Sequence, residues 1–358
     1  MSTSHPFVNI DLSALVANYN ALAGSIPNSA PGAAVKCNAY GLGLGPVSLA
    51  LAERAGCQRF FVAYAEVGQT LRTLLSAQGF KAEIFIFNGP TTETLSLFKD
   101  YQLTPILNSV HQAEIWAEAF PDTPSVLHVD TGMNRLGVRN SDLGALQSMS
   151  SLSVEMVMTH LACGSDPTST MTDRQRESFE AAANHFPHAK KSFAASAGAL
   201  LGEKYGFDVA RFGISLYGAS PFADPDPRLT PVAQLMAPIL QLWTAPAGET
   251  VGYDATHTLK RESRLATVGL GYGDGYLRSL SDKGAAVIND QRVPILGRVS
   301  MDLITLDLTD LKGDVNIGQP AEFFGPNLLI EDVAATAGSI PHELLTNLGG
   351  RIEKRYHS

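Results

Sequence analysis

Cysteine is scarce in this chain: Cys37, Cys57 and Cys163 are the only three among 358 residues. An odd, widely spaced set argues against a disulfide framework and has no zinc-type spacing. It points to free, structural thiols in a reducing compartment. Charge is sparse as well, at 17% of residues, and acids outnumber bases for a formal net charge of −9. That balance argues against nucleic acid as a partner, because phosphate binding needs clustered Lys and Arg. No apolar run approaches the ~18 residues of a membrane span. The opening stretch MSTSHPFVNIDL lacks the basic and apolar blocks of a secretory leader, so the expectation is a cytoplasmic protein. There is no repeat and no low-complexity segment. What the chain does have is apolar mass, 45% of residues, enough for a packed core in one large domain plus a smaller one.

Eight short apolar runs occupy the first part of the chain: AAVKCNA, RFFVAYA, AEIFIFNG, LTPILNS, SVLHVDTG, SVEMVMTHLA, KSFAASAG and DVARFGISLYG. Segments of helical spacing separate most of them, among them PVSLALAERAG and TDRQRESFEAAANHF. Near-continuous apolar strands between helices read as a parallel sheet covered on both faces. Eight such units predict a (β/α)8 barrel of the TIM type over residues 7–225, with an open doubly wound sheet as the alternative. The rhythm changes at Ser220–Pro231, a linker rich in Pro and Asp. Residues 230–358 read as a second, β-rich domain with one helix near IEDVAATAG. The first strand, FVNIDL, precedes the barrel pattern and is a candidate member of that second domain.

Barrel chemistry sits at the C-terminal ends of strands. Lys36, Arg135, His160, Ser196 and Arg211 all fall there and would line one mouth. Taken singly they are ordinary: a lysine with a buried stem, a surface ion pair, a satisfied core histidine. Taken together, one lysine, one histidine and two arginines beside a small-residue turn suit a phosphorylated aldehyde cofactor. Pyridoxal 5′-phosphate needs a lysine to hold it, a partner for its ring nitrogen and N–H groups for its phosphate. Ser196 and the turn Phe212–Ser215 lie in the seventh and eighth units, where barrels often hold phosphate.

Those motifs resemble the alanine racemase family of fold-type III pyridoxal-phosphate enzymes. AVKCNAYGLG is similar to that family's lysine motif, close to AVVKANAYGHG. NIDLSALVANY, DTGMNRLGV, THLACGSD, ARFGISLYG, VGYDATHT, GYGDGY and GRVSMD match further blocks in order, over nearly the whole chain. The resemblance implies a barrel followed by a β-domain and a homodimer with shared active sites. It implies Lys36 as cofactor carrier and first base, and Tyr253, delivered to the neighbouring subunit, as second base. Arg211 then faces the pyridine nitrogen, and His160 lies beside the ring. Tyr40, Ser196, Gly213 and Ile214 would contact phosphate. Arg135 and the Met301 backbone would bind the substrate carboxylate, and Tyr272 would line the substrate's way in. The implied activity is interconversion of L- and D-alanine, for peptidoglycan synthesis or alanine catabolism.

An arginine on the ring nitrogen can only donate, which disfavours transamination. Decarboxylases sharing the barrel carry an acid there. The alternatives are a racemase for serine or a broader range of amino acids, and a non-catalytic pyridoxal-phosphate carrier, which would lack the second domain. Several positions depart from the family pattern. His128 stands where many members have a lysine that becomes carbamylated. Leu42 replaces a histidine, Ala195 an asparagine and Phe212 a proline. Gly349 or Gly350 falls where a phosphate-binding tyrosine is common.

Overall fold

The computed structural model describes residues 5–358. Its first strand, β1 (Phe7–Asp11), ends on a residue that starts the next element. The Asp11 carboxylate accepts from the Ser13 and Ala14 amides at 2.8 and 2.9 Å, capping the helix Leu12–Ser25. The eight apolar runs then become β2 (Ala30–Ala34), β3 (Arg59–Val62), β4 (Glu83–Ile86), β5 (Thr104–Leu107), β6 (Pro124–His128), β7 (Ser153–Met158), β8 (Lys190–Ser192) and β9 (Val209–Phe212).

Each strand from β2 to β8 pairs in parallel with the next, and β9 lies parallel beside β2. A parallel bridge between Ala195 and Arg211, with Arg211 N–H donating to the Ala194 carbonyl at 2.9 Å, joins β8 to β9. The sheet is therefore a (β/α)8 barrel. Side chains fill its interior, as in the stacked rings of Phe61 and Phe85, 4.6 Å apart.

The second sheet is built from β10 (Ala233–Ala245), β13 (Ser263–Val268), β14 (Ala285–Ile288), β15 (Gln291–Leu296), β16 (Ile304–Asp307), β17 (Pro320–Phe324) and β18 (Glu353–His357); β11 (Thr250–Val251) and β12 (His257–Thr258) form a small separate hairpin. A register shift between Ile239 and Gln241 bends β10, so its first half pairs with β17 and its second with β13. The strands β10, β13, β16, β15, β14 and β17 thus form a closed antiparallel ring. β1 adds to β10, and β18 adds in parallel to β1. The first and last described strands therefore lie side by side in this sheet. Two helices, Ile330–Ala337 and Pro341–Thr346, stand between β17 and β18. The sequence pattern signals only the first of them. The second has six residues, too few to display a period. Among the described residues no helix is long and apolar enough to cross a membrane.

Candidate active site

Lys36 follows the end of β2, where the chain does something costly. Cys37, Asn38, Ala39 and Tyr40 all take left-handed conformations, with φ of 50, 56, 52 and 53°. Each non-glycine residue there costs about 1–2 kcal/mol, Asn less than the others. Hydrogen bonds hold the turn: Ala39 N–H to the Val35 carbonyl (2.9 Å), Gly41 N–H to Cys37 (2.8 Å), and Leu44 N–H to Asn38 Oδ1 (2.8 Å). Strain of this kind persists only where the surroundings over-determine it, and it gathers at functional sites.

The second domain supplies that restraint. Gly41 (φ 83°) lies so close to the helix Pro341–Thr346 that a Cβ there would collide with the Leu345 carbonyl oxygen. The Tyr356 hydroxyl, on β18, donates to the Leu42 carbonyl at 2.9 Å. Leu42 itself is buried in the core, an apolar role that its letter alone did not reveal. Phe212 is likewise core, edge-on to Tyr19.

The turn sends Lys36 and Tyr40 to different neighbours. The Lys36 ammonium lies 5.6 Å from the centre of the Phe87 ring, beyond β4. Burial, with a smaller contribution from Arg135, holds its pKa below the ordinary lysine value. The Tyr40 ring stacks on Tyr217 at 4.5 Å. A Cβ at Gly213 would lie 2.6 Å from the Tyr40 hydroxyl and 3.9 Å from Ser196 Oγ. The glycine therefore keeps a small polar recess open. Ser196 Oγ accepts from the Gly213 and Ser215 amides at 2.9 and 3.3 Å, and Ser215 Oγ is buried without a partner. Ile214 starts the short turn that follows Gly213. Ala195, at the N-cap position before Ser196, offers no side-chain cap, which leaves that end of the recess with free donors.

The other barrel residues bring positive charge without an acid to meet it. Arg211 is 3% exposed and donates to Ser192 Oγ (2.5 Å) and to the carbonyls of Thr159 (2.5 Å) and Phe193 (3.4 Å). Three of its five N–H groups are thereby used, and two remain. Burial pulls its pKa to about 10, so it stays cationic at neutral pH. Among the described residues neither Lys36, Arg135 nor Arg211 forms an ion pair. His160, two residues beyond β7, is pushed down to about 3 by burial and then by Arg211, Arg135, His128 and Lys36. It is a neutral imidazole in a cationic mouth. Gln175 steadies its loop, donating to the His160 carbonyl (3.0 Å) and accepting from the Ala162 amide (2.8 Å).

Tyr253, Tyr272 and Met301 lie on the second domain, 69%, 42% and 54% exposed. Tyr253 sits on a sharp turn flanked by Gly252 (φ 77°) and Asp254 (φ 62°), and Asp254 pairs with Arg298 at 3.0 Å. Its exposure places it in no pocket of its own chain. Tyr272 and Met301 are neighbours: the Tyr272 amide donates to Ser300 (3.0 Å) and the Gly273 amide to the Met301 carbonyl (2.8 Å). Arg351 ties the two loops together through Asp274 (3.0 Å) and Asp302 (2.8 Å).

The chain matches the family model described as "Alanine racemase, N-terminal domain" over residues 10–221, and "Alanine racemase, C-terminal domain" over residues 232–356. It belongs to the alanine racemase family. Its relatives include "Alanine racemase, catabolic" of Agrobacterium fabrum, 40% identical, across 98% of this chain and 91% of that protein. An "Alanine racemase" of Rhodospirillum rubrum is 38% identical across 98% and 95%. Among solved structures, alanine racemase from Bartonella henselae "with covalently bound pyridoxal phosphate" superposes with a TM-score of 0.93 at 35% identity, covering 99% of this chain and all of that one. Alanine racemase from Acinetobacter baumannii gives 0.91 at 29%, with the same coverage. Membership in the alanine racemase family makes the chain an isomerase.

Alanine racemase motifs alone did not disclose His342. The matching blocks set Gly349 or Gly350 where many members have a phosphate-binding tyrosine, and here Gly349 lies against Asp274, whose carbonyl accepts its amide at 2.9 Å. The second domain's ring beside Tyr40 is that of His342, centres 5.9 Å apart, with Nδ1 buried and unpartnered. Burial and the Lys36 ammonium hold it below the ordinary imidazole pKa. A histidine on an unrecognised six-residue helix carries no sequence signal. Only the packing of that helix on the lysine turn reveals it.

Proposed function

We propose that this protein is a pyridoxal-phosphate-dependent racemase that interconverts L- and D-alanine with two bases, as a cytoplasmic homodimer. The observation that carries the reading is the joint placement of a desolvated Lys36 and the Tyr40–Ser196–Gly213 recess at one barrel mouth. The residues fit the cofactor. Lys36 would hold it covalently; Tyr40, Ser196, Gly213 and Ile214, with the unpartnered Ser215 Oγ and His342 Nδ1, would take its phosphate. A free N–H group of Arg211 would meet the ring nitrogen, and neutral His160 would lie beside the ring. When bound, pyridoxal phosphate acidifies the substrate Cα–H by drawing off its electrons.

The protein's own work is to move the proton. Lys36 Nζ serves one face of Cα and Tyr253 Oη, from the partner subunit, the other. Desolvation lowers the affinity of Lys36 for its proton and so brings it toward the range a base needs. Arg135 and the Met301 backbone would orient the carboxylate, and Tyr272 would flank the way in. Because Arg211 lacks an acidic partner and can only donate, the ring is a weaker electron sink, which favours return of the proton over other outcomes. The reaction runs both ways, so one site serves D-alanine supply for peptidoglycan or alanine catabolism.

The test is chiral chromatography of L-alanine, with L-serine and other amino acids as a panel, with and without added pyridoxal phosphate. D-alanine should form fastest. Tyr253→Phe should lose most racemisation while keeping the bound cofactor's visible absorbance; Lys36→Ala should lose both. Cofactor-loaded protein that leaves every amino acid in its starting configuration would mean a carrier, and faster turnover of serine would shift the substrate.

A further inference from the structure

Tyr253 is so exposed that its aim is set by the backbone beneath it, not by a pocket. That backbone has a narrow footing. The hairpin of β11 and β12 pairs only Thr250 with Thr258 and Val251 with His257, and a two-stranded ribbon is marginally stable by itself. Val251 and Leu259 root it in a small apolar cluster with Leu265 and Leu296. The tip, Tyr253–Ala255, lies beyond that root.

One carboxylate braces the hairpin from outside. Asp282 Oδ1 accepts from His257 Nδ1 at 2.9 Å and from the Gly297 amide at 2.6 Å. A carboxylate only accepts, so His257 carries a hydrogen on Nδ1. The Asp282 amide donates in return to the Gly297 carbonyl at 3.1 Å. Gly297 (φ 68°) lets the hairpin lie against this segment, since a Cβ there would stand 2.5 Å from the Val251 carbonyl oxygen. The next residue, Arg298, pairs with Asp254 at the tip. Asp282 thus joins the hairpin that carries Tyr253 to the segment that runs on to Met301.

We propose that His257 and Asp282 are positioning residues for Tyr253: their hydrogen bond fixes the hairpin and so sets the tyrosine hydroxyl against the Met301 loop. This rests on the reading of Tyr253 as a base. The two side chains are 30% and 34% exposed, so the pair adds little to overall stability. Positioning asks less of it. A proton transfer fails when its base is misplaced by about an ångström, and a weak tie at the edge of a short hairpin is enough to prevent that.

The probes are L- and D-alanine deuterated at Cα, turned over by the holoenzyme. With two bases, each enantiomer loses its α-hydrogen to a different one. His257→Leu should lower kcat in both directions about fivefold, because either direction passes through Tyr253. It should enlarge the isotope effect on kcat/KM for one enantiomer only; a general loosening of the fold would leave the two effects in their wild-type ratio. Amide exchange across residues 248–259 should quicken about fivefold, with bound-cofactor absorbance unchanged. His257→Asn, whose Nδ2 falls where Nδ1 stood, should recover most of the turnover and the slow exchange. Asp282→Gly, which accommodates the positive φ of 55° and removes both bonds, should match His257→Leu and also raise KM for alanine. This variant carries the test if the leucine disturbs folding. In a Tyr253→Phe background, His257→Leu should add less than about twofold. Isotope effects that keep their wild-type ratio, or an Asn variant no better than Leu, overturn the brace alone. Wild-type racemisation by Tyr253→Phe overturns the reading of Tyr253 as a base and this assignment with it.

Discussion

Histidines kept neutral among cations set the chemistry at the residue scale. His128 and His160 sit near Arg211 and Arg135, and burial in that field drops their pKa to about 4 and about 3. In the unfolded chain both would titrate near 6.5. Their folded pKa lies below the unfolded one, so the unfolded state binds more protons as pH falls. The stability they contribute is fully present above pH ~6.5 and is lost on descent toward pH ~4 and ~3. The unfolding free energy of cofactor-free protein should therefore fall through this window by about 1.4 kcal/mol per pH unit for each histidine. Urea unfolding between pH 4.5 and 6.5 measures the slope. His128→Asn should remove about one proton's worth, and an unchanged slope would show that His128 titrates normally. His342 is a second kind of case, with its Nδ1 unpartnered beside Tyr40. If that nitrogen meets the phosphate as its protonated form, the cofactor's affinity should weaken as pH rises. Equilibrium dialysis with pyridoxal phosphate at pH 6 and 8 reads this, and His342→Phe should abolish the dependence.

The left-handed turn at Cys37–Tyr40 shows what one element requires of another. Four residues in that conformation hold only because the helix Pro341–Thr346 and Tyr356 press on Gly41 and Leu42. Gly41→Ala meets both a positive φ and the Leu345 carbonyl, and should cost about 2–3 kcal/mol and loosen cofactor retention. Gly56→Ala is the control: it has a similar φ of 64° but open space around it, so it should cost about 1–2 kcal/mol of local strain and leave retention intact. Equal effects in denaturant titration and dialysis would remove the clamp from the account. The same turn marks where sequence reading stopped. The apolar runs marked all eight barrel strands, six of them over their length because a strand covered on both faces is written in continuous apolar letters; β2 (APGAA) and β8 (KKS) meet their runs only at their C-terminal ends. The position of Lys36 at a strand end followed from that. Nothing in KCNAY marks a left-handed turn, since only Asn38 favours it and the cause lies some 300 residues away in the chain, in Leu345. The closed ring of the second sheet was equally hidden. It depends on the irregularity between Ile239 and Gln241, which lets one strand serve two neighbours.

At the scale of the whole molecule, the second domain acts in two directions. It grips the lysine turn of its own barrel, and it holds Tyr253 out at 69% exposure with Tyr272 and Met301 also uncovered. Exposed aromatic and apolar groups gathered on functional loops mark an interaction surface. If a second copy covers that surface with twofold symmetry, each site takes Lys36 from one subunit and Tyr253 from the other. Lys36→Ala and Tyr253→Phe variants, each nearly inactive alone, then become a decisive pair. After mixing, dissociation and random re-pairing, about half the dimers are mixed, and each mixed dimer holds one intact site and one doubly defective site. Activity should return to roughly a quarter of the wild-type value for twofold symmetric pairing. If Tyr253 instead served the lysine of its own chain, every site in a mixed dimer would carry one defect, and mixing would restore nothing. The two arrangements differ by an all-or-none signal in an assay of D-alanine formation, which makes the exposed tyrosine a direct report on how the molecule assembles.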